Sequence, residues 1–242
     1  KNVGGNKMFR DFRPVWAEIN LDNLVYNIKQ IREKSKSKEL IGVVKADAYG
    51  HGAVEVAPVL LQNGATRLAV AVLAEGVELR KSGIKCPIMI LGLTPETLSG
   101  DLIKYDIEPA VSSYEYALTL SNIAQSKGKT IKIHIAIDTG MGRIGFLPSE
   151  ESVEEIYKIS KLANIEIEGL FSHFCTADEA DKSYSNMQFE KYNWFYEKLI
   201  SKNIKINMRD MANSAAIMEL PETHYDGTRP GIILYGYYPD RK

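Results

Sequence analysis

The sequence predicts an α/β protein, a (β/α)8 TIM-type barrel, and three observations predict it. Short apolar runs alternate with amphipathic, helix-favouring stretches. Eight such units fit into about 200 residues, against a usual barrel size near 250. Polar residues able to do chemistry recur at the ends of the apolar runs, where a barrel carries its active site. Alternation of this kind implies a parallel sheet, and a doubly wound open sheet is the competing architecture.

Taken in order, Trp16-Ala17-Glu18-Ile19 reads as extended, and Leu21, Leu24, Val25, Ile28 and Ile31 then share one helix face. Strands are expected at about 41–46, 67–73, 87–92, 107–112, 131–138, 165–173, 206–212 and 224–229, the last being the weakest. Helices are expected at about 53–63, 74–82, 95–104, 114–127, 152–163 and 185–202, with a short one after 214. Gly64, Gly83 and Gly128 sit where helix C-caps belong. Ser152 with Glu155 makes a capping-box pattern ahead of Ile156 and Ile159. Phe189, Tyr192, Phe195, Leu199 and Ile200 form a helical apolar stripe that reads as core packing.

Composition removes several function classes. The chain has 242 residues, 45% apolar and 25% charged, with a net charge of -1. That balance offers neither a basic footprint for nucleic acid nor a polybasic face for a membrane. No apolar run approaches the roughly 20 residues that span a bilayer. Cys86 and Cys175 provide no disulfide framework and no metal-ligand spacing, so a cytoplasmic protein without a metal is expected. The opening KNVGGNKMFRDFR lacks an initiating methionine and carries four Lys/Arg against one Asp over residues 1–13. Residues 1–12 therefore read as a linker or a vector-derived remnant, and 13–242 as one barrel domain.

The rim residues carry the chemistry. Lys45 follows Leu40-Ile41-Gly42-Val43-Val44, at the end of a buried run. A buried lysine loses proton affinity and becomes a nucleophilic amine, although most strand-end lysines are structural or face solvent. Tyr49 lies within reach of an anion held over the same rim, and Gly50 and Gly52 permit close backbone approach. Asp138 ends the fifth run, His173 the sixth and Arg229 the eighth, while Asn213-Ser214 follow the seventh. Ser214 and the amides of Gly231 and Ile232 stand where barrels commonly bind phosphate, with Pro230 at the entry. "DTGMGRIGF" contains the dinucleotide spacing G-x-G-x-x-G at Gly140, Gly142 and Gly145, but Phe146-Leu147-Pro148 interrupts where the helix should run. The segment reads instead as a glycine-rich loop that presents Arg143. A rim lysine, a phosphate nest, a rim arginine and a stackable histidine together describe a pyridoxal phosphate site.

"VWAEINLDNL", "VVKADAYGHG", "DTGMGRIGF", "SHFCTAD", "ANSAA" and "TRPGIILYG" stand in the order and approximate spacing of the pyridoxal-phosphate-dependent alanine racemases. From about Arg13 to Gly236 the chain resembles that family. The resemblance implies that Lys45 carries the cofactor's aldehyde and serves as one of two acid/base groups. It implies that Tyr49, Ser214, Gly231 and Ile232 hold the phosphate with Asn213 beside them, and that His173 lies against the ring. Arg229 would face the ring nitrogen, and Arg143 the phenolic oxygen and the substrate. The implied reaction interconverts L- and D-alanine and supplies peptidoglycan, in a homodimer. Two departures stand out: the family's second base is a tyrosine of a separate C-terminal β-domain, absent from this chain, and Ala136 replaces a family lysine, often carbamylated, that steadies the arginine matched by Arg143. Two rivals remain open. One is a serine racemase module of a membrane-anchored vancomycin-resistance protein, facing the cytoplasm. The other is a non-catalytic single-barrel pyridoxal phosphate carrier.

Overall fold

The computed structural model describes residues 15–239; the expected linker at 1–12 lies outside the described residues. Its eight strands are β1 (Glu39–Val43), β2 (Arg67–Val70), β3 (Ile88–Ile90), β4 (Ala110–Val111), β5 (Ile131–Ala136), β6 (Ile165–Phe171), β7 (Met208–Asp210) and β8 (Gly227–Thr228). All pairs are parallel, in the order β3-β2-β1-β8-β7-β6-β5-β4. The two ends of that order meet. Glu108 bridges Met89, donating its N–H to the Ile88 carbonyl at 2.9 Å and accepting the Ile90 N–H at 2.8 Å. The sheet is thus a closed barrel, and the open-sheet alternative is excluded.

Alternation along each strand divides the apolar residues into two cores, as barrel geometry requires. Ile41, Val43, Ala69, Met89, Ala110, Ala136, Phe171 and Met208 fill the interior. Their neighbours Leu40, Leu68, Val70, Ile88, Ile90, Ile133 and Ile135 face the helices. Those helices are α1 (Leu21–Lys34), α2 (Ala53–Gln62), α3 (Leu73–Lys81), α4 (Ser99–Tyr105), α5 (Tyr114–Ser126), α6 (Glu150–Ile159), α7 (Ser183–Ser201) and α8 (Ser214–Glu219). Among the described residues, no helix is long and apolar enough to cross a membrane.

Three local expectations need correction. The strands stop short of the polar residues expected to end them, so Lys45, Asp138, His173 and Arg229 all stand in the loops just beyond. Helix α6 begins a turn before Ser152. Ser149 is its cap, accepting the Ser152 N–H at 3.2 Å, and Glu150 and Glu151 place acidic charge in the first turn, where the helix dipole favours it. Glu155 leaves the expected box and accepts the Tyr114 N–H at 2.7 Å. In α7, Tyr192, Phe195 and Leu199 are buried as expected, but Ile200 is 41% exposed at the stripe's edge.

The amino-terminal end of the barrel is closed by charge instead of hydrocarbon. Arg67 pairs with Glu39 at 3.6 Å, Glu108 at 3.1 Å and Glu168, and Lys132 reaches Glu168 at 3.3 Å. The buried His134 ring meets Glu108 at 2.7 Å. Only a glycine at 169 leaves room for that ring, since a Cβ there would stand 2.2 Å from Nδ1. Burial pushes the Glu168 carboxyl upward, but a hydrogen bond from Asn207 and the Arg67 and Lys132 charges outweigh it and hold the carboxyl at about 2, against 4.5 ordinarily. The folded state therefore keeps this carboxylate ionised more readily than the unfolded chain does. Its stabilisation, on the order of 3 kcal/mol, is complete above about pH 4.5 and is lost as pH falls towards 2. Urea unfolding across that window should show the decline, and E168Q should flatten it; an equally steep decline in E168Q would assign the acid limb elsewhere.

Candidate active site

The opposite, carboxyl-terminal mouth collects the residues singled out from the sequence. After β1 the chain makes a left-handed turn: Ala46, Asp47, Ala48 and Tyr49 all have φ between 50° and 56°. Each such residue costs roughly 1–2 kcal/mol outside glycine. The turn is held by side chains. Glu75 accepts the Ala46 N–H at 2.7 Å, and Asp47 accepts the Ala53 N–H at 2.7 Å at the start of α2. Gly50 and Gly52, with φ of 83° and 87°, return the chain to right-handed helix. Nothing lies within 4 Å of a Cβ built on Gly50, so its role is the turn and not a close approach.

Lys45 opens this turn, half-buried, with its amine 5.9 Å from the centre of the Tyr49 ring. Burial lowers its proton affinity, the Arg143 and Arg229 charges lower it further, and Glu75 opposes them. His173 is driven in the same direction, to about 3, by burial and by Arg229, Arg143 and Lys45. The imidazole is therefore neutral at any physiological pH. Lys45, Arg143, His173 and Arg229 thus lie close enough at the mouth to influence one another's charge.

Arg229 is fixed from behind. Its guanidinium lies against the Asp210 carboxylate and donates to the Ser172 carbonyl at 2.5 Å. Burial pulls its proton affinity down to about 10, which leaves it charged at neutral pH. Asp210 is fully buried at the end of β7. His173 is positioned by Gln188 of α7, which donates to the His173 carbonyl at 3.0 Å and to the Thr139 hydroxyl at 3.2 Å.

The glycine-rich loop folds as predicted for a presenting loop and not for a dinucleotide site. Phe146 returns to the sheet beside Ile137, donating its N–H to the Ala136 carbonyl at 2.8 Å. Asp138 organises the crossing. One carboxylate oxygen accepts Gly140 and Gly142 N–H groups at 3.0 and 2.9 Å, and the other accepts that of Arg143 at 3.1 Å. With alanine at 136, buried in the barrel interior, the backbone of Arg143 is held by this carboxylate.

Across the mouth, Ser214 accepts the Gly231 N–H at 3.0 Å. A Cβ on Gly231 would stand 2.8 Å from the Tyr49 hydroxyl and 3.8 Å from that of Ser214. Two hydroxyls thus converge on the Gly231 backbone, where a side chain would have to push the Tyr49 hydroxyl aside. Burial pushes the Tyr49 phenol up, which keeps it a donor. Asn213 uses its carbonyl oxygen to cap α8, accepting the Ala216 N–H at 3.1 Å. Ile232 follows Gly231 at the start of a short helical turn, Ile232–Tyr235. Glu75, Asp210 and Gln188 had no signal in the sequence, because each acts on a partner far along the chain.

Residues 19–239 match the family model described as alanine racemase, N-terminal domain. The chain belongs to that family. It is 69% identical over 235 residues to alanine racemase 1 of Clostridium acetobutylicum, covering 97% of this chain and 61% of that protein. Among solved structures it resembles an alanine racemase of Clostridium difficile 630, with 48% identity and a TM-score of 0.92, covering 93% of this chain and 59% of the other. It also resembles a histidine racemase of Leuconostoc mesenteroides subsp. sake, at 31% identity and a TM-score of 0.84, over 90% and 58% of the two chains. The chain thus spans about three fifths of the length of the relatives it matches. None of these three is a serine racemase by name, and they lend nothing to the expectation of a membrane-anchored parent.

Proposed function

We propose that this chain is the pyridoxal-phosphate-binding barrel domain of an amino-acid racemase that interconverts L- and D-alanine. One observation carries the reading: a half-buried lysine amine of lowered proton affinity shares one side of a mouth with two arginines and a neutral histidine, and the other side of that mouth is a hydroxyl-lined glycine cradle. The cradle suits a phosphate, since Tyr49, Ser214 and the Gly231 backbone converge on one small volume that a methyl group would fill. The lysine suits an aldehyde. When bound, pyridoxal phosphate would withdraw electrons from the substrate's Cα and so make its proton removable.

The roles assigned to the residues are those the family resemblance implies, and their surroundings support them. Lys45 holds the cofactor and moves the Cα proton on one face, its nitrogen being easily deprotonated. Arg229, cationic and paired with Asp210, would donate to the ring nitrogen without giving up a proton. His173, neutral, would pack on the ring, while Arg143 would contact the phenolic oxygen and the substrate side of the site. Asn213 and Ile232 complete the phosphate end. The opposite face of Cα needs a second base, which we assign to a tyrosine of the family's β-domain supplied by the other subunit of a homodimer. The free cysteines Cys86 and Cys175 suit the cytoplasm.

Alanine is favoured over other small amino acids because the most identical relative reported above is named for it. The histidine racemase shows that the same barrel serves another side chain. Borohydride reduction of the longer protein with pyridoxal phosphate, followed by peptide mapping, should place the label on Lys45, and label on another lysine would overturn the site. Side-by-side turnover of D-alanine, D-serine and D-histidine should favour alanine, over serine by roughly 10²-fold. Faster turnover of either rival would replace the substrate.

A further inference from the structure

We propose that Glu75 is a positioning residue for Lys45: its carboxylate fixes the backbone beside the amine and serves as the amine's counter-charge. This role rests on Lys45 being the cofactor-bearing lysine.

The geometry is a bridge between the carboxyl ends of two adjacent strands. From the first turn of α3, one Glu75 oxygen accepts the N–H of Ala46 at 2.7 Å. The other accepts those of Ala71 at 2.7 Å and Val72 at 3.3 Å, just past β2. Ala46 is the residue after Lys45 and the first of four consecutive left-handed residues. A run of non-glycine residues in that region persists only where its surroundings over-determine it. Asp47 fastens the far end of the turn to α2, within the same segment of chain. Glu75 fastens the near end, the end that carries the amine, to a different strand. It therefore sets the register of Lys45 against the rest of the mouth.

Charge points the same way. The groups facing Lys45 are Arg143 from the loop after β5, His173 from that after β6, Arg229 after β8, Tyr49 from its own turn and Glu75 from α3. Among the charges of the described residues that bear most on Lys45, Glu75 is the negative one. Without Glu75, burial and two arginines would lower the amine's proton affinity further. A lysine that must both accept and return a proton needs an affinity that allows both steps.

The test compares the unsubstituted longer protein with E75Q. Glutamine keeps the size and one acceptor oxygen, but it removes the charge and cannot accept from both strand ends. Competitive acetylation of the cofactor-free protein over a pH series, read peptide by peptide, should show the apparent pKa of Lys45 lowered by roughly one unit in E75Q. Lys81, on the same helix, should not move. A destabilised E75Q with an unchanged Lys45 titration would make Glu75 merely structural and overturn the proposal. Should E75Q not fold, the unsubstituted protein still decides: its Ala46 amide, hydrogen-bonded to Glu75, should be protected from deuterium exchange, and a freely exchanging amide would also overturn the proposal. Pyridoxal phosphate with borohydride forms a separate arm. Label on a lysine other than Lys45, together with a shifted Lys45 titration, would refute the cofactor reading while leaving the Glu75–Lys45 coupling in place.

Discussion

Lys45→Ala in the longer protein is expected to abolish covalent capture of pyridoxal phosphate and to cut racemisation by at least ~10⁴-fold, with no loss of folding stability. Two roles vanish together, since the amine that holds the cofactor also moves the proton on one face. Stability behaves differently because the native environment works against the charged amine. Burial and the Arg143 and Arg229 cations lower its proton affinity, and Glu75 offsets only part of this. A base whose proton affinity is lower folded than unfolded destabilises the fold fully below its folded pKa and progressively less from there up to its unfolded pKa. Removing it at neutral pH should leave the urea midpoint unchanged or raise it slightly. Lys45→Arg separates the contributions: it keeps a charge, cannot capture the aldehyde, and should gain no stability. Mass analysis after borohydride treatment and urea titration read the two effects independently. Capture retained by Lys45→Ala would remove the basis of the proposed function.

The barrel was legible because its logic is local. Inward and outward residues alternate along Leu40–Val43 and Leu68–Val70, and α1, α5, α6 and α8 each begin on a capping side chain. The rim was legible for a related reason: polar residues at the ends of apolar runs must emerge at one mouth once the strands are parallel. What escaped is whatever depends on a distant partner. Ala46-Asp47-Ala48-Tyr49 contains no glycine, and nothing in it announces a left-handed turn that Glu75 enforces from 29 residues away. Asp210 carries no signal of its own in the sequence, since its burial against Arg229 exists only after β7 and β8 pair. Glu39, Arg67, Glu108 and Glu168 look like ordinary solvent-facing residues. They come from different staves of the barrel, and only closure shows that all four point inwards.

That inner cluster carries the largest expected effect on folding. Arg67→Met should destabilise the protein by about 3–5 kcal/mol, because it strips the central cation from three carboxylates while leaving them at the closed end of the barrel. Methionine replaces much of the lost volume, so the deficit is one of charge and not of packing. Lys132, which reaches only Glu168, cannot make it good. A loss of that size corresponds to a fall of roughly 10 °C in the thermal midpoint of a chain this long. The pH dependence identifies the cause. In the unsubstituted protein stability declines as pH falls from about 4.5 towards 2, since Arg67 helps hold the Glu168 carboxyl low. Without Arg67 the folded carboxylates repel one another and take up protons more readily than in the unfolded chain. Mild acid should then narrow the gap between variant and parent. Arg67→Met combined with E168Q should recover part of the loss for the same reason. Because the cluster lies at the end of the barrel opposite Lys45, the folded fraction of Arg67→Met should still capture pyridoxal phosphate. A midpoint that does not move, or folded molecules that no longer capture the cofactor, would show that the two ends of the barrel are not separate stabilising and reactive regions.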